Sequence, residues 1–182
     1  MAAPSFDSAQ AVRFDLPRGS VRAGSGGETV LVVPSAALAE LARSAPAAAA
    51  EAFARALGSA IGRRAVARMG DARAASLEEF VTQLAGEVAL AGLGVLAIER
   101  WGRALVVVVE GSPLAGSLMA PVVGSALEAA TGRKVACALL SRDGETTRIL
   151  IASDGAAARV RGWIASGTPW GDALGRLHGG NR

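Results

Sequence analysis

Residues 93–110 read LGVLAIERWGRALVVVVE, and the architecture of the chain follows from this stretch. Two runs rich in aliphatic and β-branched residues, 93–100 and 105–110, flank Trp101-Gly102-Arg103, which is short enough for a tight turn. The pattern predicts a β-hairpin. Its second strand contains four consecutive valines at 106–109, and such a continuous run is typical of a strand buried on both faces. We therefore expect other elements on both sides of this strand.

A second hairpin is predicted downstream of the first. The segments 134–141 and 146–152 have strand-like composition, and the turn between them contains Asp143-Gly144. An Asp-Gly pair favours the tight turns that join antiparallel strands. The two hairpins together predict a mostly antiparallel sheet.

Apolar periodicity and capping residues place helices around the hairpins. A capping box gives the best start signal, because Ser76 can cap a helix whose third residue is Glu79. Ser35 is expected to cap the first helix, and Pro121 is tolerated in the first turn of the fourth. The predicted order indicates an α+β fold. It consists of two to three N-terminal helices, a hairpin, a helix, a second hairpin and a C-terminal helical extension. The predicted helices cover residues 36–43, 46–69, 77–91, 118–131 and 156–165, with a further amphipathic turn or two at 170–177.

The helix at 46–69 carries an apolar stripe beside a row of small residues. Each glycine inside a helix costs about 1 kcal/mol relative to alanine, so a compensating close approach of another helix is expected. Because the chain has more small apolar surface than one domain needs, we assign this face to a subunit interface. The assigned residues are Phe53, Leu57, Gly58, Ile61 and Gly62.

The sequence divides into three parts. Residues 1–34 are expected to be a flexible arm with a short strand, residues 35–153 the α+β core, and residues 154–182 a helical tail. An amphipathic tail after a Gly/Pro break can dock in the groove of a partner. The residues assigned to partner binding are Trp101, Trp163, Trp170, Leu174 and Leu177.

The composition excludes most kinds of catalytic and metal site. The chain of 182 residues has 41 alanines, 4% aromatic residues, one cysteine (Cys137) and one histidine (His178). A zinc finger, a disulfide framework and a His-based metal site within one chain are therefore excluded. Cys137 fits a buried, inert thiol, and His178 a solvated residue of the tail. We find no nucleophile elbow or phosphate loop, and expect a protein that is not an enzyme and has no cofactor or metal.

Charge and hydropathy limit the partners and the location. The net charge is +3, and 18 of the 19 basic residues are arginines. This is too little for counterion-driven nucleic-acid binding without a clustered basic face. The most basic local set, Arg63, Arg64, Arg68 and Arg73, is interpreted as a solvated helix face or an ion-paired subunit contact. With no secretory signal and no transmembrane segment in the sequence, a cytoplasmic location is expected, and a periplasmic one is left open.

A set of glycine-punctuated motifs resembles the family of the D-type accessory protein of bacterial cellulose synthase. These are FARALG at 53–58 followed by IGRR at 61–64, GLGVLAIE at 92–99, and GSLMAPVV at 116–123. Gly132-Arg133 then precedes the next strand, as in that family. The resemblance covers residues 50–151, a little over half of the chain.

The resemblance implies a non-catalytic accessory protein for cellulose, or exopolysaccharide, synthesis and export. The resemblance also implies a ring-shaped octamer built from dimers. Passages between its subunits are proposed to guide glucan chains in that family. The implied partners are other copies of the chain, the components of the cellulose synthase complex at the inner membrane, and glucan chains.

A second hypothesis belongs to a different functional class. The same helices and hairpins could form a small-molecule sensor or adaptor domain, with an apolar ligand between the helices and the second hairpin, or with a protein partner. Retention of a ligand by the purified chain would favour this hypothesis, and a stable homo-oligomer would favour the scaffold.

Overall fold

The two predicted hairpins form one antiparallel sheet. In the computed structural model, which describes residues 6–24, 27–69 and 76–179, its strands are β4 (Val95–Trp101), β5 (Ala104–Glu110), β6 (Ala136–Asp143) and β7 (Thr146–Ala152). Their order is β4-β5-β7-β6, so the second strands of the two hairpins pair at the centre of the sheet. In that pairing Val107 lies opposite Ile149.

Both faces of the sheet are covered. Val107 and Val109 of β5 belong to one core, with helices that precede and follow the first hairpin. Val106 and Val108 belong to a second core, with the C-terminal helices. None of the four valines is more than 4% exposed. The prediction that this strand is covered on both faces is confirmed, because alternate side chains of a strand point to opposite sides.

Four helices lie on the side of the first core. They match the predicted helices within a few residues, and the α+β fold is confirmed. The Ser76 cap is also confirmed, since its Oγ accepts a hydrogen bond from the Glu79 N–H at 3.1 Å. The helices are α1 (Ser35–Ser44), α2 (Ala47–Met69), α3 (Leu77–Leu90) and α4 (Gly116–Thr131).

The roles predicted for Ser35 and Pro121 at two helix starts differ from those in the structure. Ser35 is the first residue of α1, and Pro34 occupies the capping position without a side-chain hydrogen bond. Helix α4 begins at Gly116, because the Ala115 carbonyl already accepts from the next turn, and Pro121 therefore lies in the second turn. A proline there has no N–H to donate to the preceding turn.

Helices α2 and α4 approach each other through glycines. A Cβ added to Gly58 would lie 2.1 Å from the carbonyl oxygen of Val122, and one added to Gly62 would lie 2.1 Å from that of Ala126. Both neighbours are backbone atoms of α4, so only glycine fits at either position. The close helix approach expected from the small residues of α2 therefore occurs within one chain.

The C-terminal residues form two helices on the other face of the sheet. These are α5 (Asp154–Ala165), capped by Ser153, and α6 (Trp170–Gly179). Val160 of α5 is fully buried, and Leu174 of α6 is 3% exposed. The tail predicted from the sequence thus supplies the outer layer of the second core.

The N-terminal region contains three strands where the sequence predicted one short strand. They are β1 (Val12–Asp15), β2 (Ser20–Ala23) and β3 (Glu28–Val30), paired antiparallel in that order. Gly19 makes the first turn with a φ of +60°. Strands of three or four residues with exposed apolar side chains, such as Phe14, give too weak an alternation to be found in the sequence.

Within the described part of the chain, no helix combines the length and the apolar character needed to cross a bilayer.

Candidate functional site

An open groove of about 1220 Å³ lies against α4. Residues of α1 and the first half of α2 contribute to it on one side, and residues of β6 and α5 on the other. It therefore lies between the helices and the second hairpin. Pockets that bury a drug-sized ligand hold about 300–1,000 Å³, so the groove has room for more than one aromatic ring.

Small side chains keep the groove open. Helix α1 presents Ala39 and Ala42, α2 presents Ala50, and α4 presents Pro121 and Gly124. Because none of these side chains is long enough to fill the space between α1 and α4, the groove has an apolar surface that nothing in the described part of the chain covers.

Charged side chains surround this apolar surface. Two ion pairs lie on it: Arg55 contacts Glu51 at 2.7 Å, and Lys134 contacts Asp154 at 2.6 Å. The hydrogen bond and the charge of Asp154 raise the pKa of Lys134. Both pairs are exposed to solvent, where screening by water leaves an ion pair little net effect on stability. They are a polar rim rather than a source of stability.

Two further arginines of the groove are held by backbone carbonyls. Arg142, at the end of β6, donates to the Leu114 carbonyl at 3.2 Å, and Arg161 of α5 donates to the Cys137 carbonyl at 2.9 Å. Such a bond orients a guanidinium group without neutralising its charge, and among the residues that the structure describes neither arginine contacts a carboxylate.

Cys137 lies beside Gly124 at the groove. Burial, together with the nearby Glu128 carboxylate, raises the pKa of its thiol to about 12. The thiol is therefore protonated at neutral pH and is a neutral, apolar part of the groove.

We expect the thiol of Cys137 to be unreactive in the folded protein. At pH 8 a pKa of about 12 leaves about a thousandfold less thiolate than the ordinary value of 9.0, and the thiolate is the nucleophile. The rate of reaction with a colorimetric disulfide reagent measures this, with the same protein in denaturing urea as the control. Equal rates in the two conditions would contradict the assignment.

The residues assigned to partner binding lie away from the groove, in the layer of α5 and α6. Trp101 and Trp170 meet edge to face, with ring centroids 4.8 Å apart. Leu174 is buried, and Trp163 and Leu177 pack partly buried against the second core. These contacts attach the two helices to the sheet. Trp101, at the tip of the first hairpin, is 45% exposed, and its role in partner binding stays a prediction.

The residues assigned to a subunit interface have two different environments. Gly58, Ile61 and Gly62 are buried inside the chain, the two glycines against α4. Leu57 is half-buried against the first core, and Phe53 is 39% exposed. A surface for a second chain on α2 would have to use Phe53, and this interface stays a prediction.

The structure contains a buried ionic cluster between α2 and α3 that the sequence pattern did not predict. The Glu87 carboxylate, fully buried on α3, accepts from Arg64 Nε at 2.7 Å and from Arg68 Nε at 2.5 Å. Arg64 also donates to Glu28 of β3 at 3.0 Å, and the Arg68 guanidinium lies 4.8 Å from the centre of the Phe6 ring. The cluster therefore connects the N-terminal region with α2 and α3.

The ion pairs of the cluster favour the charged form of Arg64. Burial alone would lower the pKa of Arg64, but its hydrogen bonds and its attraction to Glu87 and Glu28 raise it. Two features of the sequence could have indicated this cluster. Glu87 is an acidic residue inside the apolar run of α3, and Arg64 and Arg68 are spaced i, i+4 on α2. Arg64 and Arg68 were assigned to a solvated helix face or an ion-paired subunit contact, whereas their ion pairs are mostly buried and lie within one chain; Arg73 lies outside the described residues.

The described residues show no grouping of three His, Cys, Asp or Glu side chains that could hold a metal. The His178 ring lies outside the groove, with Nε2 3.1 Å from the Trp101 carbonyl oxygen.

Comparison of the sequence with family models and with curated proteins finds no match. Among solved structures, the chain is similar to the crystal structure of the phenol-responsive sensory domain of the transcription activator PoxR with phenol. The TM-score is 0.60 at 16% sequence identity, and the match covers 93% of this chain and 92% of that chain. At this identity the similarity shows a common fold.

The predicted relation to the D-type accessory protein of cellulose synthase is wrong, and so is the cellulose scaffold function. A sensory domain matches this fold over nearly its whole length. The glycine motifs have general structural roles here: Gly58 and Gly62 allow a close helix approach, and Gly132 ends α4 with a φ of +66°. Such roles recur in many α+β folds. The octamer, the glucan chains and the synthase partners rested on that resemblance and lose their basis.

Proposed function

We propose that the chain is a ligand-binding sensory domain that takes a small, mostly apolar organic molecule in the groove between α1, α4 and β6. The observation that carries this proposal is the groove itself, whose apolar surface is built from small side chains of three helices (α1, α2 and α4) and strand β6. A concave apolar site with a few polar groups is the usual form of a small-molecule site.

The fold comparison supports the same class of function. The similar solved domain is described as phenol-responsive and was crystallised with phenol. The sensor hypothesis drawn from the sequence placed an apolar ligand between the helices and the second hairpin, where the groove lies. The proposed activity is binding without catalysis, since the lining of the groove contains a protonated thiol and no imidazole.

Helix α1 offers a way to convert binding into a signal. It has ten residues, none of them buried, and Leu41 on it is 65% exposed. It packs on the first core through the partly buried Ala42. A ligand between α1 and α4 would add apolar contacts to a helix that has few, and would thereby favour the docked position of α1.

A large side chain placed in the groove should weaken binding. We expect one site per chain for at least one of phenol, 2-naphthoate and decanoate, measured by isothermal titration calorimetry. Ala39→Trp, on the groove side of α1, should weaken that binding at least about tenfold, or about 1.4 kcal/mol. The matched control is Ala37→Trp, at an exposed position of the same helix outside the groove. Absence of binding by all three probes, or equal binding by the two variants, would overturn the proposal.

A further inference from the structure

The charges on the groove do not balance. Its lining contains five cationic side chains and three carboxylates, so its net charge is +2. The cationic residues are Arg43, Arg55, Lys134, Arg142 and Arg161, and the carboxylates are those of Glu51, Glu128 and Asp154.

Two of the five cationic residues have no carboxylate partner, although counting Glu40, which pairs with Arg43 from outside the lining, reduces the net charge to +1 (five cations against four carboxylates). Arg43, Arg55 and Lys134 each contact a carboxylate, namely Glu40, Glu51 and Asp154. Arg142 and Arg161 contact no carboxylate within the described ranges, and each donates one N–H to a backbone carbonyl. A guanidinium group has five N–H donors, so each has several left for another acceptor. Both side chains are exposed, and the one hydrogen bond that each makes directs the guanidinium group toward the backbone at the groove.

The negative charges near these arginines are already engaged. The Glu128 carboxylate accepts from the Val135 N–H at 3.0 Å, and its charge contributes to the raised pKa of Lys134. Asp154 is paired with the same lysine. Burial keeps the Cys137 thiol protonated and neutral, although the charge of Arg161 acts on its pKa in the opposite direction. An added anion would therefore meet two guanidinium groups without counterions beside apolar surface.

We propose that the ligand of the groove is an organic carboxylate, with its apolar body on the alanine-lined floor and its carboxylate on Arg142 or Arg161. The inference rests on the proposed function and adds the charge of the ligand to it. Arginine suits this role because its planar fork of donors matches a carboxylate and its charge persists at every physiological pH. The volume of the groove favours an apolar body larger than a single ring.

Matched pairs of anionic and neutral probes test this. In calorimetric titrations of the full chain, 2-naphthoate should bind at least about tenfold more tightly than 2-naphthamide, and decanoate more tightly than decanamide, since a hydrogen bond to a charged group is stronger than one between neutral groups. The double variant Arg142→Gln/Arg161→Gln should remove the preference and leave binding of the neutral amides within about twofold. Arg159→Gln, an exposed position of α5 outside the groove, is the control.

The outcomes separate the two proposals. If the amides bind as tightly as the carboxylates, or if the double variant keeps the preference, the carboxylate inference is overturned and the sensory function stands. If none of the four probes binds, the carboxylate inference is overturned, and if phenol also fails to bind, the sensory function is overturned with it. Amide binding by the double variant shows that it is folded, and Arg161→Lys, which keeps the charge, should retain part of the preference for the carboxylate.

Discussion

Gly62→Ala is expected to lower the free energy of unfolding by about 3 kcal/mol or more. The new methyl group would lie 2.1 Å from the Ala126 carbonyl oxygen and about 3 Å from its carbonyl carbon and Cα. Because these are backbone atoms of α4, no side chain can rotate away, and the two helices have to separate. Alanine has a higher helix propensity than glycine by about 1 kcal/mol, which is too little to offset this separation. Urea denaturation followed by circular dichroism measures the change.

Gly162→Ala is the matched control for this substitution. Gly162 lies in α5, and a Cβ there meets no atom within 4 Å. Here only the propensity acts, so the variant should be more stable by about 0.5–1 kcal/mol. A Gly62→Ala protein as stable as the unaltered chain would show that α2 and α4 are not in backbone contact.

Glu87→Gln is expected to cost about 3 kcal/mol of stability. The carboxylate of Glu87 is fully buried and lies between two guanidinium groups, those of Arg64 and Arg68. Removal of its charge leaves two mostly buried cations close together, of which Arg64 keeps a partner in Glu28. The lost contact also weakens the attachment of the N-terminal strands, so limited proteolysis should cleave residues 6–30 faster in this variant than in the unaltered chain.

Glu51→Gln provides the control for the effect of burial. Glu51 is paired with Arg55 one helical turn away, on an exposed face of α2. An exposed i, i+4 pair contributes about 0.3–0.5 kcal/mol, so this variant should unfold at nearly the same urea concentration as the unaltered chain. Equal losses of stability in Glu51→Gln and Glu87→Gln would mean that the Glu87 cluster is hydrated rather than buried.

The elements that could be predicted well are those with local signals. The four valines of β5, the Asp143-Gly144 turn and the Ser76 cap each act within a few residues, and the structure has the expected element at each. The Gly58 and Gly62 positions also predicted a close helix approach. The sequence could not indicate that the approaching helix is α4 of the same chain, because a glycine requires a close neighbour without specifying which one.

The candidate site was less predictable than the fold. Ala54 of α2 is fully buried against the first core, whereas Ala39 of α1 lines the groove. The two residues are identical and both lie in helices, so their pattern does not distinguish a packed position from an open one. Glu87 was similarly hidden, since its partners are 19 and 23 residues away.

The order of the helices and strands from residue 35 onward, and the burial of the central strand on both faces, follow from the amino-acid sequence without the coordinates. The sequence also limits the chemistry, since one cysteine and one histidine leave few nucleophiles and metal ligands. Three features emerge only when the chain is folded. They are the position of the groove, the two arginines of its rim that contact no carboxylate among the described residues, and the attachment of the N-terminal strands to α2 and α3. The difference is one of range: caps, turns and periodicity act between near neighbours in the chain, whereas a groove is the space left between elements far apart in it.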